Sequence, residues 1–289
     1  MQQIESREQV HSITRRWRRE GLQIALVPTM GNLHAGHLAL VEAARQAADR
    51  VVASIYVNPT QFGEGEDFAS YPRTLDADRE SLRQAGCDLL FVPDHSTMYP
   101  AGLDEAVRIL AAPSLAGVLD GKSRPGHFDG VVTVVARLFN LVDPDCAFFG
   151  EKDYQQLLVI RQMAMDLGYG IRIESVPTVR ESSGLAMSSR NNYLQPEQKE
   201  AAAALNQALM GVAKRVGREA ADPGVSEKEA TAHLQDLGMQ VDYVAVRRSD
   251  NLAKPGGERV PLRALAAVWC GKTRLIDNVE IKSVGILHL

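Results

Sequence analysis

Two histidines three residues apart, His34 and His37, stand where an apolar run gives way to a helix-forming one. Ile24-Ala25-Leu26-Val27 has the continuous apolar character of a buried strand, and Leu38-Ala39-Leu40-Val41-Glu42-Ala43-Ala44-Arg45 has helical composition and spacing. A strand-to-helix turn leaves backbone N–H groups at the positive end of the helix dipole, which attracts phosphate. Residues i and i+3 share one face of a first helical turn, so both imidazoles belong to that face. Gly36 between them leaves the backbone bare for a flat ligand. Pro28-Thr29-Met30-Gly31-Asn32-Leu33-His34-Ala35-Gly36-His37 therefore has the chemistry of a nucleoside triphosphate site. A helix N-terminus disfavours imidazolium, so neutral rings donating to phosphate are expected. Bound triphosphate pulls the other way, and a transient imidazolium would stabilise departing pyrophosphate. A zinc half-site is the competing reading, but no further Cys/His cluster or HExxH supplies ligands. Ordinary helix-start histidines are the other.

Gly150-Glu151-Lys152-Asp153-Tyr154-Gln155-Gln156 forms a second constellation: Lys152 follows a strand and opens a helix, with Asp153 suited to its cap or first turn. A third is Met187-Ser188-Ser189-Arg190-Asn191, where two hydroxyls and a guanidinium in sequence can wrap phosphate oxygens. Taken singly, the second reads as a surface lysine beside a capping aspartate and the third as a loop. Gly121-Lys122-Ser123 and Gly271-Lys272-Thr273 end like a phosphate loop, but the leading glycine would fall on Ala116 and Ala266. Gly63-Glu64-Gly65 is followed by Phe68 where a dinucleotide fingerprint requires glycine.

The elements that must position these groups alternate. Strands are expected over Gln23–Val27, Val51–Val57, Asp88–Val92, Ala147–Phe149 and Ile171–Val176, with helices such as Leu75–Ala85 and Tyr154–Leu167 between them. Continuous apolar strands suit a sheet covered on both faces, and the βαβα rhythm argues for an α/β, doubly wound, Rossmann-like parallel sheet. Ligands sit at the carboxyl ends of such strands, where Pro28–His37, Asn58–Gln61 and Gly150–Asp153 fall. After Val179 the character changes: a loop at Glu181–Asn192, helices over Pro196–Val216 and Ser226–Leu237, and strands at Val241–Val246, Ala264–Trp269 and Leu275–Val279. The expected domains are residues 1–178 and a smaller α+β domain over 179–289, hinged near Pro177–Ser183.

The totals exclude several classes. A net charge of −4 argues against bulk nucleic-acid binding, and Arg15, Arg16, Arg18 and Arg19 read as a solvated helix face. Val131 to Val142, the longest apolar stretch, carries Arg137 and Asn140 and is too short to span a bilayer. Three scattered cysteines in apolar surroundings suit reduced thiols, and no signal-peptide core is seen. A cytoplasmic protein with neither membrane nor nucleic-acid partners is expected.

In order along the chain, PTMGNLHAGH, NPTQF from Asn58, YPRT from Tyr71, RPGHFDGV from Arg124, FGEKDYQQL from Phe149 and MSSRN from Met187 resemble the pantoate–β-alanine ligase (pantothenate synthetase) family. HAGH alone marks only the wider nucleotidyltransferase superfamily. The resemblance implies ATP with Mg2+ as co-substrate, pantoate and β-alanine as the other substrates, a pantoyl-adenylate intermediate, and a homodimer. It implies that His34, His37, Lys152 and Arg190 are catalytic, His37 being cast as a proton donor and Lys152 as stabiliser of the α-phosphate. ATP would be held by Met30, Gly31, Asn32, Leu33, His34, Ala35, Gly36 and His37, by Gly150, Glu151, Lys152 and Asp153, and by Val179, Met187, Ser188, Ser189 and Arg190. The last group acts from the C-terminal domain as a lid. Gln61, Gln156, Met30, Asn58 and Arg124 would bind pantoate or β-alanine, and Asp78 is the candidate Mg2+ ligand, Ala77 standing where some relatives carry a second acid. Phe62–Phe68, with Gly63 and Gly65 as pivots, is a candidate cover for the intermediate. Two other functions remain open: a nucleotidyltransferase acting on a phosphate ester, and a nucleotide-binding regulator without catalysis.

Overall fold

The computed structural model describes residues 1–63, 65–257 and 259–282. Six strands form a parallel sheet flanked by helices: β1 (Gln2–Ile4), β2 (Ile24–Thr29), β3 (Arg50–Ile55), β4 (Leu89–Phe91), β5 (Cys146–Gly150) and β6 (Arg172–Val176). Their order is β1-β4-β3-β2-β5-β6. The chain winds outward in one direction from β2 and in the other from β5. The junction between those two strands, paired through Ala25–Cys146 and Leu26–Ala147, is the topological switch point. Strands β2 to β4 are almost wholly buried, which explains their unbroken apolar sequences.

The helices are α1 (Arg7–Arg19), α2 (Ala35–Ala47), α3 (Leu75–Gln84), the short α4 (His95–Met98), α5 (Pro113–Ala116) and α6 (Leu119–Ser123), then α7 (His127–Val142), α8 (Tyr154–Asp166), α9 (Pro196–Arg218) and α10 (Pro223–Asp236). Ser6 caps α1 by accepting the Gln9 N–H, and Asp222 caps α10 by accepting that of Val225, with Pro223 in the first turn. The sequence offered no sign of β1, a three-residue strand too short to show periodicity. The apolar stretch ending at Val142 proves to be the buried body of α7, which begins earlier, at His127. None of the helices among the described residues is long and apolar enough to cross a membrane.

Two compact units are present. One comprises Met1–Gly117, Arg124–Glu151 and Gln156–Pro177; around Val27, Val41, Val51, Leu82, Leu90 and Phe148 it builds a core on its sheet. The other comprises Val118–Ser123, Lys152–Gln155 and the chain from Thr178 onward. Its antiparallel sheet, β7 (Gln240–Arg248), β8 (Leu262–Cys270) and β9 (Thr273–Ile281), packs with α9 and α10 around Leu205, Leu209, Leu234, Ala266 and Val268. Two short segments from earlier in the chain join this second unit for identifiable reasons. The Gln155 side chain accepts the Asp120 N–H at 3.1 Å and donates to the Val118 carbonyl at 2.8 Å. Arg274 on β9 pairs with Asp120 at 2.6 Å and Asp242 at 2.7 Å, and Ser123 donates to Asp242 at 2.9 Å.

All three cysteines are free and buried. Burial raises the Cys87 thiol to about 11, far from thiolate reactivity.

Candidate active site

The loop between β2 and α2 is shaped by its own residues and by one distant acid. Gly31 and Asn32 both have left-handed backbone, φ +83° and +51°. A side chain at Gly31 would press on the Asp78 carboxylate at 3.1 Å and on Ile55 at 3.2 Å, so glycine is required there. Asp78, buried on α3, accepts the Asn32 N–H at 2.9 Å, the Leu33 N–H at 2.8 Å and the Thr74 hydroxyl at 3.1 Å. Thr29 receives the Gly31 N–H and donates to the Ser54 carbonyl on β3. The carboxylate expected as a Mg2+ ligand therefore serves as the buttress of the loop. No group of three or more His, Cys, Asp or Glu able to hold a metal occurs among the described residues.

His34 caps α2, its Nδ1 accepting the Gly36 N–H at 3.1 Å, while His37 Nδ1 accepts the His34 N–H at 3.3 Å. The rings lie 4.1 Å apart, inclined by 44°. Because both Nδ1 atoms accept, each neutral ring carries its proton on Nε2. Protonation would place a hydrogen on Nδ1 and break the reciprocal cap, adding to the dipole's opposition to charge. The first turn of α2 itself holds no acidic residue, and the carboxylate nearest its positive end is that of Asp78, on the N–H groups of Asn32 and Leu33 just before the cap.

The 3-10 turn Pro59–Gln61 follows β3, and here the structure assigns work that the sequence placed elsewhere. Asn58, expected at the substrate, is fully buried and holds the turn: its amide donates to the Gly130 carbonyl at 3.2 Å and its Oδ1 accepts Tyr99 Oη at 2.8 Å and Thr60 Oγ1 at 3.1 Å. Arg124, also expected at the substrate, is engaged on all three nitrogens. Its Nε and one terminal nitrogen donate to Glu66 at 2.7 and 2.6 Å. That same terminal nitrogen donates to the Gln61 carbonyl at 3.1 Å, and the other meets His127 Nε2 at 3.0 Å. Burial opposes ionisation of Glu66, but the hydrogen bonds and charge of Arg124 outweigh it and hold the carboxyl below its ordinary range. Glu64, within the segment read as a cover, lies outside the described residues. Gln61 and Gln156 both belong to the first unit, as do Met30, Gly150 and Glu151.

In the second unit, Val179 and Met187 are brought together: the Met187 N–H bonds the Val179 carbonyl at 2.9 Å, beside a bridge between Arg180 and Ala186. Ser188 caps the 3-10 turn Ser189–Tyr193 by accepting the Arg190 N–H. Beneath this arm lies a pair of buried polar residues on β9 that the sequence reading missed. Asp277 takes a bidentate bond from Arg180 at 2.7 and 2.9 Å, and Asn278 donates to the Lys152 carbonyl at 2.9 Å. Arg263 donates to Asn278 at 2.5 Å and stacks 3.8 Å above Tyr154. The arm and the Lys152 turn thus share one support. Asp277-Asn278 set between the apolar Leu275-Ile276 and Val279 were the available signal, since an acid and an amide inside a buried strand demand partners.

A profile described as Pantoate-beta-alanine ligase matches residues 2–280. The pantothenate synthetase of Thioalkalivibrio sulfidiphilus is 52% identical over 281 residues, 97% of this chain and 98% of that one. That of Stenotrophomonas maltophilia (strain R551-3) is 56% identical over 268 residues, 91% and 94% of the two chains. Among solved structures, pantothenate synthetase from Thermus thermophilus superposes with a TM-score of 0.89 at 43% identity, over 98% of this chain and 100% of its own. The pantoate-β-alanine ligase from Francisella tularensis, complexed with β,γ-ATP and β-alanine, gives 0.81 at 35% identity over 97% of each chain. With its paired imidazoles at the switch point of a parallel sheet and these likenesses over nearly its full length, the chain belongs to the pantoate–β-alanine ligase family.

Proposed function

We propose that the protein condenses (R)-pantoate with β-alanine at the expense of ATP, by way of pantoyl adenylate. The observation that carries the reading is the reciprocal His34–His37 cap, which uses both Nδ1 atoms as acceptors at a helix N-terminus whose first turn holds no acid. In the first step a pantoate carboxylate oxygen bonds to the α-phosphorus as the bond to pyrophosphate breaks. In the second, the β-alanine amine attacks the acyl carbon, AMP leaves with the electrons of the acyl–oxygen bond, and the nitrogen loses a proton. No side-chain nucleophile is needed. The protein's part is to orient the reactants and to meet developing charge with fixed donors. His34 and His37 donate to the triphosphate, which lies against the loop from Met30 to Gly36. Gln61 and Gln156 offer neutral amides to the hydroxyls and carboxylate of pantoate. Gly150, Glu151 and Asp153 hold the nucleoside, Val179 and Met187 back the adenine, Ser188, Ser189 and Arg190 bind phosphate oxygens, and Lys152 meets the charge that builds at the α-phosphate in the transition state. Residues 179–289 act as a lid in this reading. Mg2+ comes with the nucleotide, screening its charge.

The test is release of AMP and pyrophosphate from Mg-ATP with pantoate and β-alanine omitted in turn. Multiple-turnover AMP is expected only with all three substrates present, and EDTA should abolish it. AMP formation indifferent to pantoate would overturn the assignment of the acceptor.

The same reading makes the protein a cytoplasmic homodimer. Three buried, free thiols support the compartment, which fractionation checks. Val107 and Leu110, 80% and 76% exposed, support self-association. They lie on a segment tied to α7 by the N–H groups of Ile109, donating to Thr133, and Ala111, donating to Asp129. Sedimentation equilibrium should give twice the chain mass of 31.6 kDa, and Leu110→Glu should shift it toward monomer; a monomeric native protein would refute the dimer.

A further inference from the structure

We infer that the N-terminal turn of α7 is a jig for Gln61, with Gly130 and Tyr99 as positioning residues for pantoate. The inference rests on the placement of pantoate at Gln61 proposed above. Its physical basis is a gap that only glycine permits. A Cβ at Gly130 would lie 2.1 Å from the Thr60 carbonyl oxygen, 2.6 Å from the carbonyl carbon and 2.9 Å from Thr60 Oγ1. Two of those three atoms are backbone, so no rotamer change relieves the clash. The turn must retreat by about 1 Å to restore ordinary contact. Helix interiors disfavour glycine against alanine, so its presence inside α7 calls for such a reason.

The turn is gripped on both sides of that contact. Upstream, the buried Asn58 bridges the Gly130 carbonyl and Tyr99 Oη. Downstream, the Gln61 carbonyl meets His127 Nδ1 at 2.7 Å and an Arg124 nitrogen at 3.1 Å. Residues 127 and 130 lie one turn apart on the same helix, so the backbone of Gln61 is referenced to one rigid element. The backbone that carries its side-chain amide is therefore fixed before substrate arrives, which lowers the cost of ordering that part of the site on binding.

Gly130→Ala, Tyr99→Phe and Gln61→Ala test this, read by pantoate-dependent ATP–pyrophosphate exchange, the KM for pantoate, and ATP affinity by calorimetry. A displacement of about 1 Å should lower kcat/KM for pantoate by about 100-fold in Gly130→Ala. Tyr99→Phe, which removes the hydroxyl contacts to Asn58 Oδ1 and Thr60 Oγ1 without adding volume, should raise the KM for pantoate by about fivefold. Neither should move the ATP dissociation constant by more than about twofold, because the β2–α2 loop is held by Asp78 instead. If Gly130→Ala does not fold, Tyr99→Phe decides. Unchanged pantoate kinetics in Tyr99→Phe and in any folded Gly130→Ala, with Gln61→Ala impaired, overturns the positioning role alone. An unimpaired Gln61→Ala removes the pantoate placement and the jig with it.

Discussion

Lys152→Ala should lose roughly 10²- to 10³-fold in kcat, about 3–4 kcal/mol of transition-state stabilisation, the cost of deleting one preorganised electrostatic donor. The side chain is partly buried, and its neighbour Asp153 lies 3.5 Å from Nζ, the long reach of a weak pair that a stronger anion can outbid. Its backbone is secured independently, since Asn278 donates to the carbonyl and not to the ammonium. The substitution should therefore leave the melting temperature and the ATP dissociation constant nearly unchanged and act on kcat and kcat/KM alike, the pattern of an interaction made in the transition state. Pantoate-dependent ATP–pyrophosphate exchange and steady-state turnover measure it. Turnover within a few-fold of wild type would remove Lys152 from the mechanism.

His37→Ala should fall by a similar factor, and a second substitution at the same position separates two roles for the ring. Alanine loses both the Nε2–H donor and the acceptor that receives the His34 N–H. Glutamine restores both: at the fourth position of a capping box its carbonyl can accept the cap N–H while its amide donates forward. It cannot exchange a proton near neutral pH. If His37 donates a hydrogen bond, as the Nδ1 acceptor geometry indicates, His37→Gln should recover at least tenfold of the activity lost in His37→Ala. If His37 must transfer a proton, His37→Gln will be as inactive as alanine, and the ring must give up its cap during turnover. The measurement is single-turnover formation of pyrophosphate, which isolates the first chemical step.

Features that depend on neighbouring residues were readable from the chain alone. The β2–α2 turn could be found because its chemistry is local: a cap, a first-turn partner three residues on, and a glycine between them. The strands could be found because a sheet buried on both faces requires unbroken apolar runs, and their ends missed only by a residue or two, as at Cys146–Gly150 against an expected Ala147–Phe149. The helix α10, expected over Ser226–Leu237, begins three residues earlier at Pro223, behind the Asp222 cap. Strand β1 was hidden, since three residues at a sheet edge leave no periodic trace.

Everything that crosses long stretches of chain waited for the tertiary structure. Asp78 reaches back 46 residues to the Asn32 N–H and becomes a buttress, whereas in sequence it is only an acid without a partner. Asn278 supports Lys152 from 126 residues away, and Gly130 takes its meaning from the Thr60 backbone. Arg124 reads from sequence as a cation awaiting a carboxylate; folded, it already holds one in Glu66. Motif spacing encodes which groups can react, because capping and helical periodicity act over a few residues. Which of them are free to meet a substrate, and which are spent in holding others still, is decided by packing between distant segments, and only the fold brings those segments together.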